Sequence, residues 1–326
     1  MTIKDFIKNH QKKEVVHCLG LKEQKSVVSI CVQTYQHSNF IKQCLDGLLM
    51  QETDFLFEIL LGEDDSTDGT REICIEYAEK FPDKIRLFLH HRENNIEING
   101  NPTGRFNFLY NLYNACGKYI AFCEGDDYWT DPLKLQKQID FLENNKDYVL
   151  SFHDVNINNT RKNSVNNYRM VGFLNNNNLE TEDLLKPWFI PTCSIVFRNS
   201  DKFSLPKWFA LSANGDIALL LLLSLEGKFK YLNEIMGVYR MHDNGISVSF
   251  TGYSNVFSMI HLYQNFNEYT NKKFETKLHQ AMKSEIHAHL PEFHELRRLR
   301  RSKKVKVIKV VQTIASKIRG VFRLSF

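Results

Sequence analysis

Two acidic turns carry the residue types that bind a divalent cation. They are the runs Glu63-Asp64-Asp65 and Glu124-Gly125-Asp126-Asp127. Carboxylates packed together repel one another, so such a turn is costly unless a cation or a hydrogen-bond donor compensates its charge. A hard divalent ion takes one or two protein carboxylates and fills its other positions with water and phosphate oxygens. The pattern therefore favours a metal–diphosphate complex as ligand over a free sugar or a peptide.

Acidic residues in turns can instead cap helices at the solvent surface. We assign that role to Asp68 and Asp131, because each directly precedes a predicted helix. Asp126 and Asp127 follow a buried apolar strand, which favours a ligand-binding role for both.

The acidic turns must be positioned by the strands that precede them. Apolar runs predict strands, and helical periodicity predicts the helices between them, at the following places: strands over 27–32, 57–61, 85–89 and 119–123, and helices from 38, after 68 and over 105–116. This alternation predicts an α/β fold with a doubly wound, mostly parallel sheet. Right-handed crossovers bring the turns after the strands to one edge, where such sheets bind ligands. We therefore expect Glu63, Asp126 and Asp127 to line one cation-bearing pocket.

The second half of the chain is less regular. An Asn-rich segment over 156–178 predicts a surface loop. Further elements are predicted over 192–197 (ordered chain), 215–226 (helix), 236–242 (strand) and beyond 253 (amphipathic helix). We divide the chain into a polar lead (1–25), an α/β domain (26–245) and a helical extension with a basic amphipathic tail (246–326).

Composition excludes several classes of protein. The net charge of +4 is too small for a nucleic-acid-binding protein, and no recognition motif accompanies the basic residues. The seven cysteines show neither metal-binding nor disulfide spacing, which favours a reducing, cytoplasmic location. The N-terminus is too polar for a signal peptide, and the longest apolar block, 217–225, is far short of the roughly 20 residues of a membrane span.

Three segments, in this order and at strand ends, resemble family 2 glycosyltransferases of the GT-A fold. They are VSICVQTY (28–35), EILLGEDDSTDGT (58–70) and GKYIAFCEGDDYWTDP (117–132). The resemblance covers about 26–245 and implies a metal-dependent, inverting enzyme that uses Mn²⁺ or Mg²⁺. Such an enzyme moves a sugar from a nucleotide-sugar donor, here most simply a UDP-sugar, to an acceptor hydroxyl. The implied setting is surface polysaccharide or glycolipid assembly, with a glycan or lipid-linked acceptor at the inner face of a membrane.

The resemblance also assigns roles to residues of the strand-end turns. Thr34 and Tyr35 would hold the nucleotide, and the second turn would contribute Glu63, as acceptor of a hydrogen bond from the base, and Asp65. The family usually has Asp at the position of Glu63 and Pro-Thr-Tyr-Asn at the first turn, where this chain has Gln33 and Gln36.

The Asp-x-Asp motif of the family corresponds to Glu124-Gly125-Asp126, which Asp127 follows. The resemblance implies that Glu124 and Asp126 contact the nucleotide-sugar and that Asp126 and Asp127 contact the metal. His242, in the segment that closes the domain, would reach the metal or the diphosphate, since imidazole suits several divalent ions. The alternative for His242 is a structural or solvated side chain.

Inverting transfer also requires a carboxylate that removes the proton of the acceptor hydroxyl. Asp216 precedes an apolar helix and matches the position of the family's general base. The alternative is that Asp216 only caps that helix.

Two other functions stay open. A nucleotidyltransferase also places acids at strand ends, but it normally carries a glycine-rich phosphate loop after its first strand, and residues 33–38 contain no glycine. A sugar- or nucleotide-binding scaffold without catalysis is compatible with Gln33, Glu63 and Glu124. The basic segment 305–326 forms either a solvated helix face or a peripheral contact with an anionic membrane.

Overall fold

The computed structural model describes residues 1–18, 26–98, 100–159, 164–169, 176–185, 189–200, 205–243, 245 and 253–289. The basic segment 305–326 predicted as an amphipathic helix lies outside these residues. In the part that is described, no helix is both long enough and apolar enough to cross a membrane.

The described chain alternates strands and helices in its first half. The strands are β1 (Val16–Cys18), β2 (Val28–Thr34), β3 (Phe57–Glu63), β4 (Ile85–Leu89), β5 (Glu97–Ile98), β6 (Asn101–Pro102), β7 (Tyr119–Phe122), β8 (Tyr128–Trp129), β9 (Tyr148–Asn159), β10 (Ser164–Arg169), β11 (Asn178–Leu179), β12 (Val196–Arg198) and β13 (Lys228–Met241). The helices are α1 (Ile3–His10), α2 (Ile41–Leu49), α3 (Thr70–Lys80), α4 (Arg105–Asn114), α5 (Lys134–Asn144), α6 (Gly215–Leu223), α7 (Tyr253–Tyr269) and α8 (Glu275–Ala288).

One sheet organises the molecule, in the order β1-β4-β3-β2-β7-β12-β9-β13-β11. Strands β4, β3, β2 and β7 are parallel, and so are β9 and β13. Strand β12 runs antiparallel to both of its neighbours, β7 and β9. The predicted doubly wound, mostly parallel α/β sheet is thus confirmed, with one antiparallel strand between its two parallel parts.

Helices cover both faces of the sheet because its strands are apolar on both sides. On one face, Val32 packs in a core cluster with Ile41 and Leu45 of α2. On the other, Cys31 shares a cluster with Phe106 and Leu109 of α4. The carboxyl ends of β2, β3 and β7 therefore lie between two helical layers.

The prediction of a surface loop over 156–178 is wrong where the structure describes it as strand. Residues 156–159 complete β9, which pairs with β10 on one side and with β13 on the other. Backbone pairing with two neighbours overrides the low strand propensity of asparagine. For the same reason β13 begins at Lys228, earlier than the predicted 236, because it pairs with β9 from that residue onward.

Two predicted helix caps are displaced. The N-cap of α3 is Gly69 rather than Asp68, and that of α5 is Leu133 rather than Asp131. Both aspartates still accept backbone hydrogen bonds at the helix starts, from the N–H of Thr70 at 3.1 Å and of Leu133 at 2.8 Å. The sequence therefore identified the capping side chains but not the first helical residue.

Candidate functional site

The turn after β2 is tied to the acidic turn after β3. Gln36 lies in the left-handed region at φ 55°. Its backbone N–H donates to Ser66 Oγ at 2.9 Å, and the N–H of His37 donates to Thr70 Oγ1 at 2.8 Å. These bonds hold the two turns side by side along the carboxyl edge of the sheet.

Glu63 is fully buried at the end of β3. Its Oε1 accepts the N–H of Ser66 at 2.8 Å, and its Oε2 accepts a hydrogen bond from Arg71 Nε. Arg71 also donates to the carbonyl oxygen of His90 at 2.7 Å. In this arrangement Glu63 braces the turn. A contact between Glu63 and a nucleobase would require Arg71 to move, and that role stays a prediction.

Asp64 and Asp65 are adjacent in sequence but differ in burial and in their ion-pair partners. Asp64 is buried, and its carboxylate accepts from Arg92 Nη1 at 2.5 Å. Burial raises the pKa of Asp64 to about 7 in spite of Arg92. Asp65, at φ 62°, keeps a side chain that is 35% exposed and lies 3.5 Å from Arg71 Nη1. Tyr35 is exposed, and the guanidinium carbon of Arg92 lies 3.9 Å from the centre of the Tyr35 ring. Tyr35, Asp65 and the two arginines thus form one accessible rim, called the arginine rim below.

Asp126 meets two histidines. Its Oδ2 lies 2.9 Å from His242 Nε2 and 4.0 Å from His37 Nε2. One ligand atom from each of the three residues lies within 4.8 Å of the others. Thr34 Oγ1 lies 3.3 Å from His37 Nδ1, which leaves Nε2 of that ring directed to Asp126. Asp126, His37 and His242 are named the His–Asp cluster.

The His–Asp cluster fits a divalent cation. Burial lowers the pKa of His37 although the nearby Asp126 opposes this, so the ring is neutral and can offer a lone pair. Burial alone would raise the pKa of Asp126, but the hydrogen bond from His242 and the proximity of His37 outweigh it and lower the pKa. Two imidazole nitrogens and one carboxylate are a donor set suited to Mn²⁺ and the later first-row ions.

Sequence reasoning identified Asp126 and His242 but missed His37. The available signal was a histidine directly after the strand-end residues Thr34 and Tyr35, in a turn predicted to lie at the ligand-binding edge. A single histidine in a turn is weak evidence without the fold. Only the sheet order, which sets β2 beside β7, brings His37 to Asp126.

Asp127 is placed away from the cluster. It is buried, and its Oδ1 accepts the N–H of Arg240 in β13 at 2.8 Å. Burial, with the charges of Asp126 and Glu124, raises its pKa. Glu63 and Asp127 thus accept hydrogen bonds from the protein, whereas Asp126 faces two histidines, and the expectation that the three acids share one pocket stays a prediction. A metal contact by Asp127 stays a prediction.

Arg240 fastens the turn after β7. Its Nη1 donates to the carbonyl oxygen of Asp126, and its Nη2 donates to Gln43 Oε1. The guanidinium also lies over the ring of Tyr128, 4.3 Å from the ring centre. The strand that supplies Arg240 also leads to His242, so β13 positions both the turn and one ligand of the His–Asp cluster.

Glu124 and Asp216 come together from distant parts of the chain. Burial raises the pKa of Glu124 to about 8, with contributions from the charges of Asp126 and Asp216. Asp216 lies in the first turn of α6, whose N-cap is Asn214. The alternative that Asp216 only caps this helix is therefore not supported. Asp216 is thus close enough to Glu124 to influence its pKa, and its role as general base stays a prediction.

Arg105 holds the start of α6 in place. It is buried at the start of α4, and its Nη2 donates to the carbonyl oxygen of Ser212 at 2.8 Å. A Cβ built on Gly215 would lie 1.5 Å from Arg105 Nη1, so only glycine permits this approach. The contact fixes the helix turn that carries Asp216.

Comparison with known proteins gives the family. The family model described as Glycosyl transferase family 2 matches residues 29–204, which include the strand-end turns and β12. The chain belongs to glycosyltransferase family 2. An uncharacterized protein of Mycobacterium tuberculosis is 35% identical over 224 residues, which is 68% of this chain and 60% of that protein. The match thus spans less than two thirds of that relative.

Solved structures share the fold of this glycosyltransferase. The domain of S. aureus TarS, residues 1–349, has a TM-score of 0.58 and 18% identity, and covers 90% of this chain and 78% of that one. A mannosyltransferase of Pyrobaculum calidifontis, in complex with GDP-Man and Mn²⁺, has a TM-score of 0.50 and 16% identity, over 95% of this chain and 85% of that one. At these identities the likeness establishes the GT-A fold alone.

Proposed function

We propose that this chain is an inverting, metal-dependent glycosyltransferase that moves a sugar from a UDP-sugar to an acceptor hydroxyl. The observation that carries the proposal is the His–Asp cluster at the carboxyl edge of the parallel strands, next to Glu124 and Asp216. Family membership supports the reaction class, and the geometry supports a proposal for which residues would meet the donor and accept the proton.

His37, Asp126 and His242 would hold the metal ion. A divalent ion bound there offsets the negative charge that develops on the departing nucleoside diphosphate. Thr34 supports the site by fixing the orientation of His37, and Arg240 supports it by holding the Asp126 backbone. Supporting contacts of this kind determine how well ligands are oriented before a metal binds.

The arginine rim supports binding of the nucleotide. Tyr35 offers an aromatic face, Asp65 an exposed carboxylate, and Arg71 and Arg92 positive charge at the same edge. Glu124, which lies within the electrostatic influence of Asp126 and Asp216, would also contact the donor. The likeness to the TarS domain, which is also solved in complex with UDP-GlcNAc, is in keeping with a uridine nucleotide.

Asp216 supplies the general base of the proposed reaction. It lies in the first turn of α6, where the unpaired backbone N–H groups favour a carboxylate in its charged form. A charged carboxylate can accept the proton of an acceptor hydroxyl as that oxygen attacks the anomeric carbon. Arg105 and Gly215 hold this turn rigid, which suits a group that must stay in register with its substrate.

The acceptor is proposed to be a glycan or lipid-linked glycan in surface polysaccharide or glycolipid assembly. The support is the basic, amphipathic pattern of residues 305–326, which suits a helix on an anionic lipid surface. Such a surface would bring the enzyme to lipid-linked acceptors at the inner face of a membrane.

Two variants test the proposal together with the wild-type chain. Titration calorimetry with Mn²⁺ and UDP, GDP or dTDP should detect nucleotide binding, and UDP-sugars should release UDP slowly even without acceptor. We expect Asp126→Asn to abolish metal-dependent nucleotide binding. Asp216→Asn should preserve donor binding and lower transfer by roughly a thousandfold or more.

Asp83→Asn is the matched control, because Asp83 is an exposed carboxylate remote from the edge. It should behave as wild type in every assay. Transfer by Asp216→Asn at a near wild-type rate would identify another group as the base. Absence of nucleotide binding with all three nucleotides would instead favour a scaffold without catalysis.

A further inference from the structure

Arg105 is a cation buried among aromatic rings. Its relative exposure is 9%, and its guanidinium carbon lies 5.6 Å from the ring centre of Phe108 and 5.7 Å from that of Phe209. Burial lowers the pKa of Arg105 to about 10, which leaves the side chain charged at neutral pH. A buried charge is costly unless an opposite charge or a set of hydrogen-bond acceptors compensates it.

The guanidinium of Arg105 lies directly before helix α6. Its Nη2 donates to the carbonyl oxygens of Ser212 at 2.8 Å and of Ala213 at 3.4 Å. A neutral N–H donor could make the same two bonds, so they do not explain why a charged group is buried here. The N-terminus of a helix also carries partial positive charge, which disfavours a cation beside it.

Asp216 supplies the opposite charge. It is the acid in the first turn of α6, whereas residues 105–108 at the start of α4 include no acid. A Cβ built on Gly215, the residue before Asp216, would lie 1.5 Å from Arg105 Nη1, so the guanidinium lies against the backbone that leads into Asp216. The negative charge of Asp216 also opposes the fall in the pKa of Arg105.

Two charged groups of the described chain act on Asp216 in opposite directions. They are Arg105 in α4 and Glu124 in the turn after β7. Interactions between charges are mutual, so Arg105 favours the ionised carboxylate of Asp216 and Glu124 disfavours it. A general base must be ionised before it can accept a proton. Of these two groups, Arg105 is therefore the one that supports the proposed role of Asp216.

We propose that Arg105 is a positioning residue for the general base: its charge, and not only its hydrogen bonds, keeps the Asp216 carboxylate ionised and in place at the start of α6. This inference rests on the proposed function, in which Asp216 accepts the proton, and deepens it. Gly215 belongs to the same arrangement, because a side chain there would displace the guanidinium.

The first test is a double-mutant cycle of Arg105→Gln and Asp216→Asn, measured by urea denaturation of the full-length chain at pH 7. Gln removes the charge and keeps an N–H donor for the carbonyl oxygen of Ser212. Because the two charges stabilise each other, Arg105→Gln should raise the unfolding equilibrium constant of wild type roughly tenfold more than that of Asp216→Asn. Equal effects in the two backgrounds would show that the charges are not coupled.

Arg198→Gln is the matched control. Arg198 also donates to a backbone carbonyl oxygen, that of Tyr148 at 2.8 Å, and its guanidinium carbon lies 5.4 Å from the ring centre of Tyr119. It pairs in register with Tyr119 at the amino end of β7, at the opposite end of the strand from the site. Its effect on stability should therefore be the same in wild type and in Asp216→Asn.

The second test separates charge from packing by donor turnover. The probes are UDP-glucose, UDP-GlcNAc and GDP-mannose with Mn²⁺, and water takes the place of the acceptor. Arg105→Gln should bind nucleotide as wild type does and should lower kcat roughly tenfold or more. Arg105→Lys retains the charge and should recover most of kcat, whereas Arg198→Gln should turn over as wild type. Equal losses of kcat in the Gln and Lys variants would reduce Arg105 to a packing role, because both lack the guanidinium fork.

The outcomes also separate this inference from the proposed function. Wild type that binds no nucleotide, or releases none from the three donors, overturns the proposed function and the inference together. Wild-type turnover combined with additive effects in the cycle overturns the inference alone. If Arg105→Gln does not fold, the double variant with Asp216→Asn decides: a cooperative urea transition there supports the coupling, and failure in both backgrounds assigns Arg105 to its carbonyl contacts alone.

Discussion

His37 is a candidate metal ligand because of the residues around it. Its Nδ1 contacts Thr34, its Nε2 faces Asp126, and its ring meets that of His242 edge-on at 5.9 Å between centres. A two-carboxylate site would bind Mg²⁺ readily, whereas two imidazoles shift preference to Mn²⁺ and later ions. In the proposed site, a histidine outside the Asp-x-Asp-type motif would therefore influence the choice of metal.

Replacing His37 should therefore weaken metal binding without unfolding the chain. We expect His37→Ala to lower the affinity for Mn²⁺, measured by calorimetry with bound nucleotide, by roughly tenfold or more. His279→Ala, at an exposed position of α8, is the control and should bind Mn²⁺ as wild type does. Equal Mn²⁺ affinity in all three proteins would exclude His37 from the metal site.

Asp64 gives a pH dependence of stability. Its pKa is raised by burial from the ordinary value of 3.8 to about 7. Between these values the folded chain binds more protons than the unfolded chain, so the free energy of unfolding falls as the pH rises through this window and levels off above it. We expect Asp64→Asn to flatten this decline by about 3 kcal/mol between about pH 4 and pH 7.

The measurement is urea denaturation at several pH values in the absence of metal. Because Asp64→Asn also loses the charge that pairs with Arg92, its stability will differ from wild type throughout, and the slope is the diagnostic quantity. Parallel pH profiles for the two proteins would show that Asp64 is ionised throughout this range.

At the scale of elements, α4 is fastened to the sheet by asparagines rather than by apolar contacts alone. Asn107 and Asn111 donate to the backbone carbonyl oxygens of Gly62 and Val32. The close approach is possible because Gly62 has no side chain. Helix α4 is therefore held to the sheet by polar as well as apolar contacts.

Gly62→Ala tests this packing. The added Cβ would overlap Asn107 Oδ1, and the short Asn107 side chain can yield only by breaking its bond to Gly62, so we expect a loss of about 1–3 kcal/mol in the free energy of unfolding. Gly104→Ala, where a Cβ meets nothing within 4 Å, should cost less than about 1 kcal/mol. Equal losses in the two variants, by chemical denaturation, would contradict the tight contact.

The local sequence pattern was sufficient to predict the four parallel strands β2, β3, β4 and β7. The runs over 28–34, 57–63, 85–89 and 119–122 are short, apolar and rich in branched residues, and each is followed by a turn, so their period and length indicate strands directly. Strand β9 was not predictable over 156–159, because asparagines form strand there through pairing with two neighbours, one of which, β13, lies far along the chain.

The site was predictable to the extent that its residues lie at strand ends. Asp126 and His242 follow from motif position, whereas His37 follows only from the neighbouring order of β2 and β7. The side chain of Asp127 accepts the backbone N–H of Arg240, whereas that of Asp126 faces the histidines. Nothing in the sequence predicts the bond to Arg240. The contacts of Asn107 and Asn111 with the sheet were equally hidden, since asparagines in a helix indicate nothing until the register with the sheet is known.

At the scale of the whole molecule, charge is distributed unevenly along the chain. The net charge is only +4, yet the segment 303–309 alone contains four lysines. Residues beyond 289 lie outside the described structure, so their role is argued from sequence. Each basic residue near an anionic bilayer contributes about 1 kcal/mol of attraction.

Neutralising this segment should weaken membrane binding and spare catalysis. We expect the combined change Lys303→Gln, Lys304→Gln, Lys306→Gln and Lys309→Gln to lower partitioning onto vesicles containing phosphatidylserine by at least roughly tenfold, by sedimentation at low salt. The matched control replaces the exposed Lys272 and Lys273 by Gln and should partition as wild type. Equal partitioning of all three proteins would assign the segment to a solvated helix face.

Strand β13 contains Arg240 and is followed directly by His242, and both residues contact Asp126. The order in which the chain is synthesised therefore affects when the His–Asp cluster can form. A ribosome exposes β2, β3, β4 and β7 long before residue 242, so the growing polypeptide can build its nucleotide edge early. Until β13 inserts beside β9, the Asp126 carboxylate lacks one of its two imidazole neighbours. The nascent chain thus completes the His–Asp cluster late, after the residues of most of the surrounding sheet have been synthesised.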